Sequence, residues 1–140
     1  MGEGPTEIFE KVVLASKAAV PGGHKWSWDD RFEAGLVVVR AEDVQAVHGV
    51  VKAAYSHSWE PKDIPTGPAI LQALDGGLGG MRVDQSLYSV EIDPETWVYA
   101  AFWPWGSGVN ISVRVGVFML PGSSGDLSAW NGKLRGLFEI

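Results

Sequence analysis

The segment from residue 82 to residue 119 constrains the fold more than any other, because it has the pattern of three strands joined by two turns. Residues 83–92 are strand-like, and Asp93-Pro94-Glu95 places Asp before Pro, as a type I turn prefers. Residues 97–103 are apolar throughout, which is typical of a central strand covered on both faces. Residues 104–108 then supply a second turn.

Residues 109–119 show the cleanest strand pattern in the chain, since apolar side chains alternate with polar or small ones. The apolar positions are Ile111, Val113, Val115, Val117 and Met119. Consecutive strands joined by short turns pair as neighbours. The three segments therefore predict an antiparallel meander.

Helical periodicity marks residues 6–20 and 41–58, with Thr6 as a cap of the first helix. Thr66-Gly67-Pro68 opens a short helix that ends near Gly76. Residues 127–138 also favour a helix, although Gly132 and Gly136 weaken it and leave an edge strand over 134–140 as an alternative.

Two short segments complete the predicted order. Trp26 and Trp28 alternate around Ser27 as in a strand, and residues 36–39 are typical of a strand buried on both faces. The order is then α-β-β-α-β-β-β-α, which predicts an α+β fold with a mostly antiparallel sheet packed against helices. A length of 140 residues predicts one globular domain spanning residues 1–140.

Composition narrows the classes of partner. The net charge is −6 and the 11 basic residues are scattered, which argues against nucleic acid and anionic membrane surfaces. The absence of cysteine excludes disulfides, thiolate ligands and thiol catalysis. Residues 1–10 have no signal-peptide pattern, and the longest apolar run, 97–105, is too short to span a bilayer. We therefore expect a cytoplasmic location.

The histidines do not predict a metal site. His48 lies on an apolar helical stripe, where a core histidine bonded to a backbone carbonyl is expected. His57 and Glu60 are three residues apart at a predicted helix end, but no third ligand is suggested locally. His24 with Asp29-Asp30 is better explained as a turn.

Catalytic and cofactor motifs are not recognised either. Residues 76–80 are glycine-rich, but a helix precedes them and a strand follows, which is the reverse of a phosphate loop. Gly106-Ser107-Gly108 lacks the frame of a nucleophile elbow. We therefore expect no cofactor and name no catalytic residue, which favours a protein that is not an enzyme.

Seven tryptophans are the most conspicuous feature. Trp97 is predicted to lie in the core, whereas Trp103 and Trp105 lie at a hairpin tip. Trp59 lies in a proline-rich loop and Trp130 on the C-terminal helix. Either these rings fold back to cap the sheet, or they form a contact surface, because exposed tryptophan is enriched at binding hot spots.

The leading hypothesis is a non-enzymatic protein–protein interaction module, such as a small cytoplasmic regulator, adaptor, chaperone or immunity-type protein. Its partner-binding residues would be Trp103 and Trp105, with Trp59 or Trp130. A homodimer through the strands between residues 97 and 119 is a further expectation if either edge is uncovered.

The alternative is a small-molecule-binding or enzymatic pocket between the sheet and the helices. Its apolar lining would be Tyr55, Tyr88, Trp97 and Tyr99. Its polar groups would come from His48, Asp84 or Arg114. A carbohydrate-binding module is a third, weaker hypothesis that rests on the aromatic side chains alone.

Overall fold

The computed structural model describes residues 4–140, so the first three residues of the N-terminal segment discussed above lie outside the described part. The helices are Pro5–Ala19 (α1), Ala41–Ala54 (α2), Ala69–Gly77 (α3) and Leu127–Phe138 (α4), with a 3-10 helix over Pro61–Thr66. The strands are Ser27–Asp29 (β1), Ala34–Arg40 (β2), His57–Trp59 (β3), Ser86–Asp93 (β4), Thr96–Pro104 (β5) and Asn110–Met119 (β6).

The six strands form one sheet in the order β1-β2-β6-β5-β4-β3, and every neighbouring pair is antiparallel. The α+β class and the β4-β5-β6 meander are therefore confirmed. Both β5 and β6 are interior strands, so neither has an unpaired edge. The condition for a homodimer through these two strands, an uncovered edge, is therefore not met.

Helix α1 begins one residue earlier than predicted. Gly4 precedes it in extended conformation, and Pro5 occupies the first helical turn, where no backbone N–H is needed. The Glu7 carboxylate accepts a hydrogen bond from the Gly4 N–H, which satisfies one free donor of the helix start. Thr6 is therefore not the cap.

Helix α2 ends at Ala54, four residues before the predicted end. Tyr55 leaves the helical conformation, and its hydroxyl lies 2.8 Å from the Ser16 hydroxyl in the core. The chain then continues as β3, in which His57 pairs with Ser89 and Trp59 with Leu87. The prediction of helix up to residue 58 is wrong because a contact with α1 redirects the chain at Tyr55.

The two faces of the sheet are covered unequally. Helices α1, α2 and α4 pack on one face, here called the three-helix face. Helix α3 packs on the other, here called the α3 face, through a smaller core. The residues of that core are Ile70, Leu71, Leu74, Leu87, Trp97, Tyr99 and Ala101. They come from α3, β4 and β5, so α3 covers only part of its face.

The structure corrects or decides three further predictions about strands and helices. Strand β4 begins at Ser86, and Val83 is 93% exposed in the preceding turn. The C-terminal segment is helical and buries Leu134 and Phe138, so the edge-strand alternative is wrong. Val38 is 37% exposed, so β2 is not buried on both faces as predicted. No helix within residues 4–140 is long and apolar enough to cross a bilayer.

Candidate interaction surface and the His48 cleft

Part of the α3 face lies beyond α3 and carries exposed apolar side chains. Val38 pairs with Ser112, which in turn pairs with Trp103, and directly paired residues of antiparallel strands point to one face. Leu36 lies two residues before Val38 on the same face. Trp105 adjoins this group at the β5–β6 turn. We call the surface formed by Leu36, Val38, Trp103, Trp105 and Ser112 the open half.

Trp105 is held over the open half by a hydrogen bond. Its indole Nε1 donates to the Ser112 hydroxyl at 2.8 Å, and Ser112 is buried. The turn itself is fixed by the backbone bond from Gly108 N–H to the Trp105 carbonyl at 2.9 Å. Trp105 nevertheless remains 47% exposed, so a large ring is presented to solvent in a defined orientation.

Trp103 is half-buried and has a structural role. Its ring makes an edge contact with Phe32, with 5.4 Å between ring centroids, and the Arg114 guanidinium lies 4.5 Å from its centroid. Such a cation–π contact is worth on the order of 1 kcal/mol. Trp103 therefore belongs partly to the internal packing, whereas Trp105 is mainly surface.

Arg114 is anchored beneath Phe32 by an ion pair. Its Nε donates to Oδ2 of Asp29 at 2.7 Å, and the two side chains are 16% and 11% exposed. Asp29 also accepts hydrogen bonds from the backbone N–H groups of Arg31 and Phe32, which shape the β1–β2 turn. Burial acts to raise the pKa of Asp29, but these hydrogen bonds and the Arg114 charge outweigh it and lower the pKa.

The other two predicted contact tryptophans lie elsewhere. Trp59 stacks parallel to Trp97 with 5.9 Å between ring centroids, and its Nε1 donates to the Ser89 hydroxyl at 2.8 Å. Trp130 packs edge-on against Phe9 at 5.0 Å on the three-helix face. The structure thus brings Trp103 and Trp105 together and places Trp59 and Trp130 at separate sites.

The residues predicted to line one pocket lie on both sides of the sheet. His48, Tyr55 and Tyr88 lie on the three-helix face. Trp97, Tyr99 and Arg114 lie on the α3 face. A single pocket lined by all six is therefore absent from residues 4–140. Asp84 lines a third place, a cleft of about 410 Å³ beside Trp59 and the 3-10 helix.

Two of the tyrosines are enclosed by their neighbours. A Cβ at Gly116 would lie 2.6 Å from the Tyr99 hydroxyl, so this glycine makes room for the ring. Burial raises the pKa of Tyr99 well above its usual value, and burial does the same for Tyr55. Both phenols stay protonated, which makes them packing groups rather than acid–base groups.

His48 and Tyr88 form the polar contact that the sequence did not predict. The His48 Nδ1 lies 2.8 Å from the Tyr88 hydroxyl, and the imidazole stacks on Phe102 at 4.0 Å. The predicted backbone-carbonyl partner of His48 is therefore wrong. Burial lowers the pKa of His48, so the ring is neutral at neutral pH.

A cleft of about 360 Å³ opens beside His48. Helix α2 contributes four lining residues and strand β4 contributes two. They are Gln45, His48, Gly49, Lys52, Ser86 and Tyr88. The helical spacing of the first four places them on one side of α2.

The potential metal ligands weighed from the sequence are not assembled. His57 stacks on Trp59 in an edge strand, and Asp29 is bound to Arg114. His24 Nδ1 lies 3.0 Å from the Pro21 carbonyl instead of approaching Asp29. Within residues 4–140 no three His, Asp or Glu side chains are grouped as a metal site would need.

Comparisons with family models, curated proteins and solved structures find no match for this chain. Function has to be inferred from the surface and the cleft themselves. Trp103, Trp105 and His48 were predicted as site residues, whereas Leu36, Val38 and the pairing of His48 with Tyr88 were not. No signal within residues 34–40 marks Val38, because its face is set by the register of β2 against β6.

Proposed function

We propose that this chain is a non-enzymatic protein-binding module, a small cytoplasmic regulator or adaptor, that contacts its partner through the open half. The observation that carries the proposal is that Ser112 joins two exposed apolar side chains: it accepts a hydrogen bond from the 47% exposed Trp105 and pairs with the 37% exposed Val38. Indole rings held in one orientation contribute large contact area at a small entropy cost.

The chemistry of the surface specifies the partner further. The β2 and β6 positions on this face include Arg40, Asn110, Ser112 and Arg114, but Arg40 is paired with Glu42 at 3.2 Å and Arg114 with Asp29 at 2.7 Å. Arg31 adds a guanidinium 5.0 Å from the Phe32 ring. The fitting partner is a protein that presents apolar side chains, with a carboxylate placed to reach the exposed Arg31.

The test uses single variants that spare the internal packing. Trp103 supports Arg114, so its removal would disturb the fold as well as the surface. Trp105→Ala removes an exposed ring and one hydrogen bond, Val38→Gln changes a partly exposed side chain, and Val83→Gln changes an exposed valine outside the open half. The wild type is immobilised, proteins retained from a source-cell lysate are weighed by native mass spectrometry, and the stoichiometric partner is titrated calorimetrically against each variant.

We expect Trp105→Ala and Val38→Gln to weaken binding at least tenfold and Val83→Gln to bind as the wild type does. A tenfold loss corresponds to about 1.4 kcal/mol, which is the order of a single interface anchor. Equal affinity for all three variants would exclude the open half as the contact surface.

A second candidate function is small-molecule binding in the His48 cleft. The observation that favours it is the fixed imidazole, whose Nδ1 is bonded to Tyr88 while Nε2 has no hydrogen-bond partner within residues 4–140. Small compounds that bind there should raise the melting temperature of the wild type. His48→Ala should abolish that rise while the protein remains folded by circular dichroism.

A further inference from the structure

We infer that the His48 cleft binds a small molecule through an oxyanion group, a carboxylate or a phosphate. This inference rests on the second candidate function above and gives it a ligand class. It is independent of the open half, which lies on the opposite face of the sheet.

The imidazole of His48 is held in one orientation, and its free Nε2 is a donor when the Tyr88 hydroxyl donates to Nδ1 or when the ring is protonated. The stack on Phe102 fixes the ring plane, and the bond to Tyr88 fixes the direction of Nδ1. A tyrosine hydroxyl can donate to Nδ1 of a neutral histidine, which leaves the proton on Nε2. The same hydroxyl can accept from Nδ1 of a protonated ring, so the orientation persists in both charge states.

Other donors around the cleft also lack partners inside the protein. Lys52 follows His48 by four residues on α2, and Gln45 precedes it by three. Ser86 adds a hydroxyl from β4. Within the described residues none of these three side chains makes a hydrogen bond or ion pair. An ammonium, an amide and a hydroxyl beside an imidazole N–H suit an oxyanion, which accepts several hydrogen bonds at once.

The charge of the lining points to the same class of ligand. None of its six residues is acidic, in a chain that has 17 acidic and 11 basic residues. Lys52 is therefore not neutralised from within the lining. A cationic ligand would face an ammonium group without a carboxylate to bind it.

Gly49 keeps the cleft open between His48 and Lys52. A glycine inside a helix makes the helix less stable than an alanine would. No backbone strain or close packing requires it here, because a Cβ at Gly49 would have no heavy atom within 4 Å. Gly49 lines the cleft, so an added Cβ there is a direct test of the room that a ligand would need.

The experiment follows the three histidines by the carbon-13 shift of their imidazole Cε1 while inorganic phosphate or acetate is added. Chloride at equal ionic strength is the control for screening. The full chain is used throughout, and assignments come from His24→Gln, His48→Gln and His57→Gln. We expect a saturating shift at His48 with phosphate or acetate, and no comparable shift at His24 or His57. The anion that binds more tightly shows whether the cleft prefers a phosphate or a carboxylate.

Three variants test the lining. Lys52→Ala should weaken anion binding about tenfold, because it removes the ammonium group from the lining. Gly49→Ala should weaken it while leaving the melting temperature equal or higher. Gly136→Ala is the matched control, a helical glycine whose Cβ also has open space but which lies outside the cleft. It should bind as the wild type does.

A His48 shift that follows ionic strength alone would overturn the inference, and so would wild-type affinity in both Lys52→Ala and Gly49→Ala. Neutral and cationic fragments distinguish a cleft that binds some ligand from a cleft that binds an oxyanion. If they shift His48 while both anions fail, the cleft is a ligand site and the oxyanion class is wrong. If no compound of any charge shifts His48, both the inference and the second candidate function fail.

Discussion

The guanidinium of Arg114 donates to the carboxylate of Asp29 over 2.7 Å, across 85 residues of sequence. The bond ties the short edge strand β1 to the interior strand β6 across β2. Phe32 and Trp103 lie on the guanidinium at 5.2 Å and 4.5 Å from their ring centroids. One ion pair thus supports the turn and the hairpin strand that border the open half.

Removing the carboxylate should destabilise the protein. We expect Asp29→Asn to lower the free energy of unfolding by about 2 kcal/mol at pH 7, because Arg114 then loses its charged partner in a mostly buried setting. Urea denaturation measures the change. Asp30→Asn alters the exposed neighbour and should change the free energy by less than about 0.5 kcal/mol.

The pH dependence of that difference has a defined sign. The pKa of Asp29 is lowered in the folded state, so its contribution is present above the unfolded value of 3.8 and is lost as the pH falls through the folded value. The difference in unfolding free energy between the wild type and Asp29→Asn should therefore become smaller below about pH 4. A gap that stayed constant from pH 7 to pH 3 would contradict the assignment.

His48 should make the fold less stable in mild acid. Burial lowers its pKa below 6.5 in the folded state, so between that lowered value and 6.5 the unfolded chain binds more protons. Stability should then fall as the pH drops from 7 towards 5. The groups that face the ring are the Tyr88 hydroxyl and the Lys52 ammonium, and neither carries a negative charge that would stabilise the imidazolium.

The measurement compares unfolding free energies of three proteins across that range. In His48→Gln the unfolding free energy should depend less on pH, because this ring no longer titrates. His57→Gln leaves His48 in place and should show the same pH dependence as the wild type. An identical slope in the wild type and His48→Gln would show that His48 does not titrate differently on folding.

Gly116 should tolerate no side chain, because the Tyr99 ring occupies the space. We expect Gly116→Ala to cost about 1 to 3 kcal/mol by overpacking. Combining it with Tyr99→Leu should recover part of that loss, so the two changes will be non-additive in a double-mutant cycle. If the two changes in unfolding free energy are strictly additive, the added methyl group is accommodated by a shift of β6 and not by displacement of the Tyr99 ring.

The two hairpin tryptophans should contribute differently to the free energy of unfolding. Trp103→Ala removes contacts with Phe32 and Arg114, and we expect a loss of about 2 to 3 kcal/mol in the free energy of unfolding. Trp105→Ala removes a largely exposed ring and one hydrogen bond to Ser112, and we expect at most about 1 kcal/mol. Chemical denaturation measures the free energy of unfolding of both variants. Equal losses would contradict the assignment of Trp103 to internal packing and Trp105 to the surface.

The meander was predictable because its signals are local. Alternation over β6 and the Asp-Pro turn before β5 need no knowledge of the rest of the chain. The end of α2 was not predictable, because the Tyr55 hydroxyl bonds Ser16, 39 residues away. No periodicity within residues 41–58 encodes that contact.

The candidate site was predictable only in part. Trp105 was expected at a hairpin tip, and it lies there. Val38 was expected in a doubly buried strand, because an apolar run does not reveal which face a helix leaves uncovered. The pocket set failed for a related reason. Whether Tyr88 and Trp97 share a face depends on the register of β4 against β5, which spacing within either strand does not give.

The position of β2 has a consequence for how the chain reaches this fold. Its inner neighbour is β6, so Ala34 pairs with Gly116 and the valines beside it have no inner partner until residues 110–119 are available. On the ribosome, β1, β2 and α2 emerge long before that strand. Pairing between strands so far apart in the sequence slows folding. The β2–β6 part of the sheet cannot form before residues 110–119 are made, and the apolar residues 37–39 lack that partner strand until then.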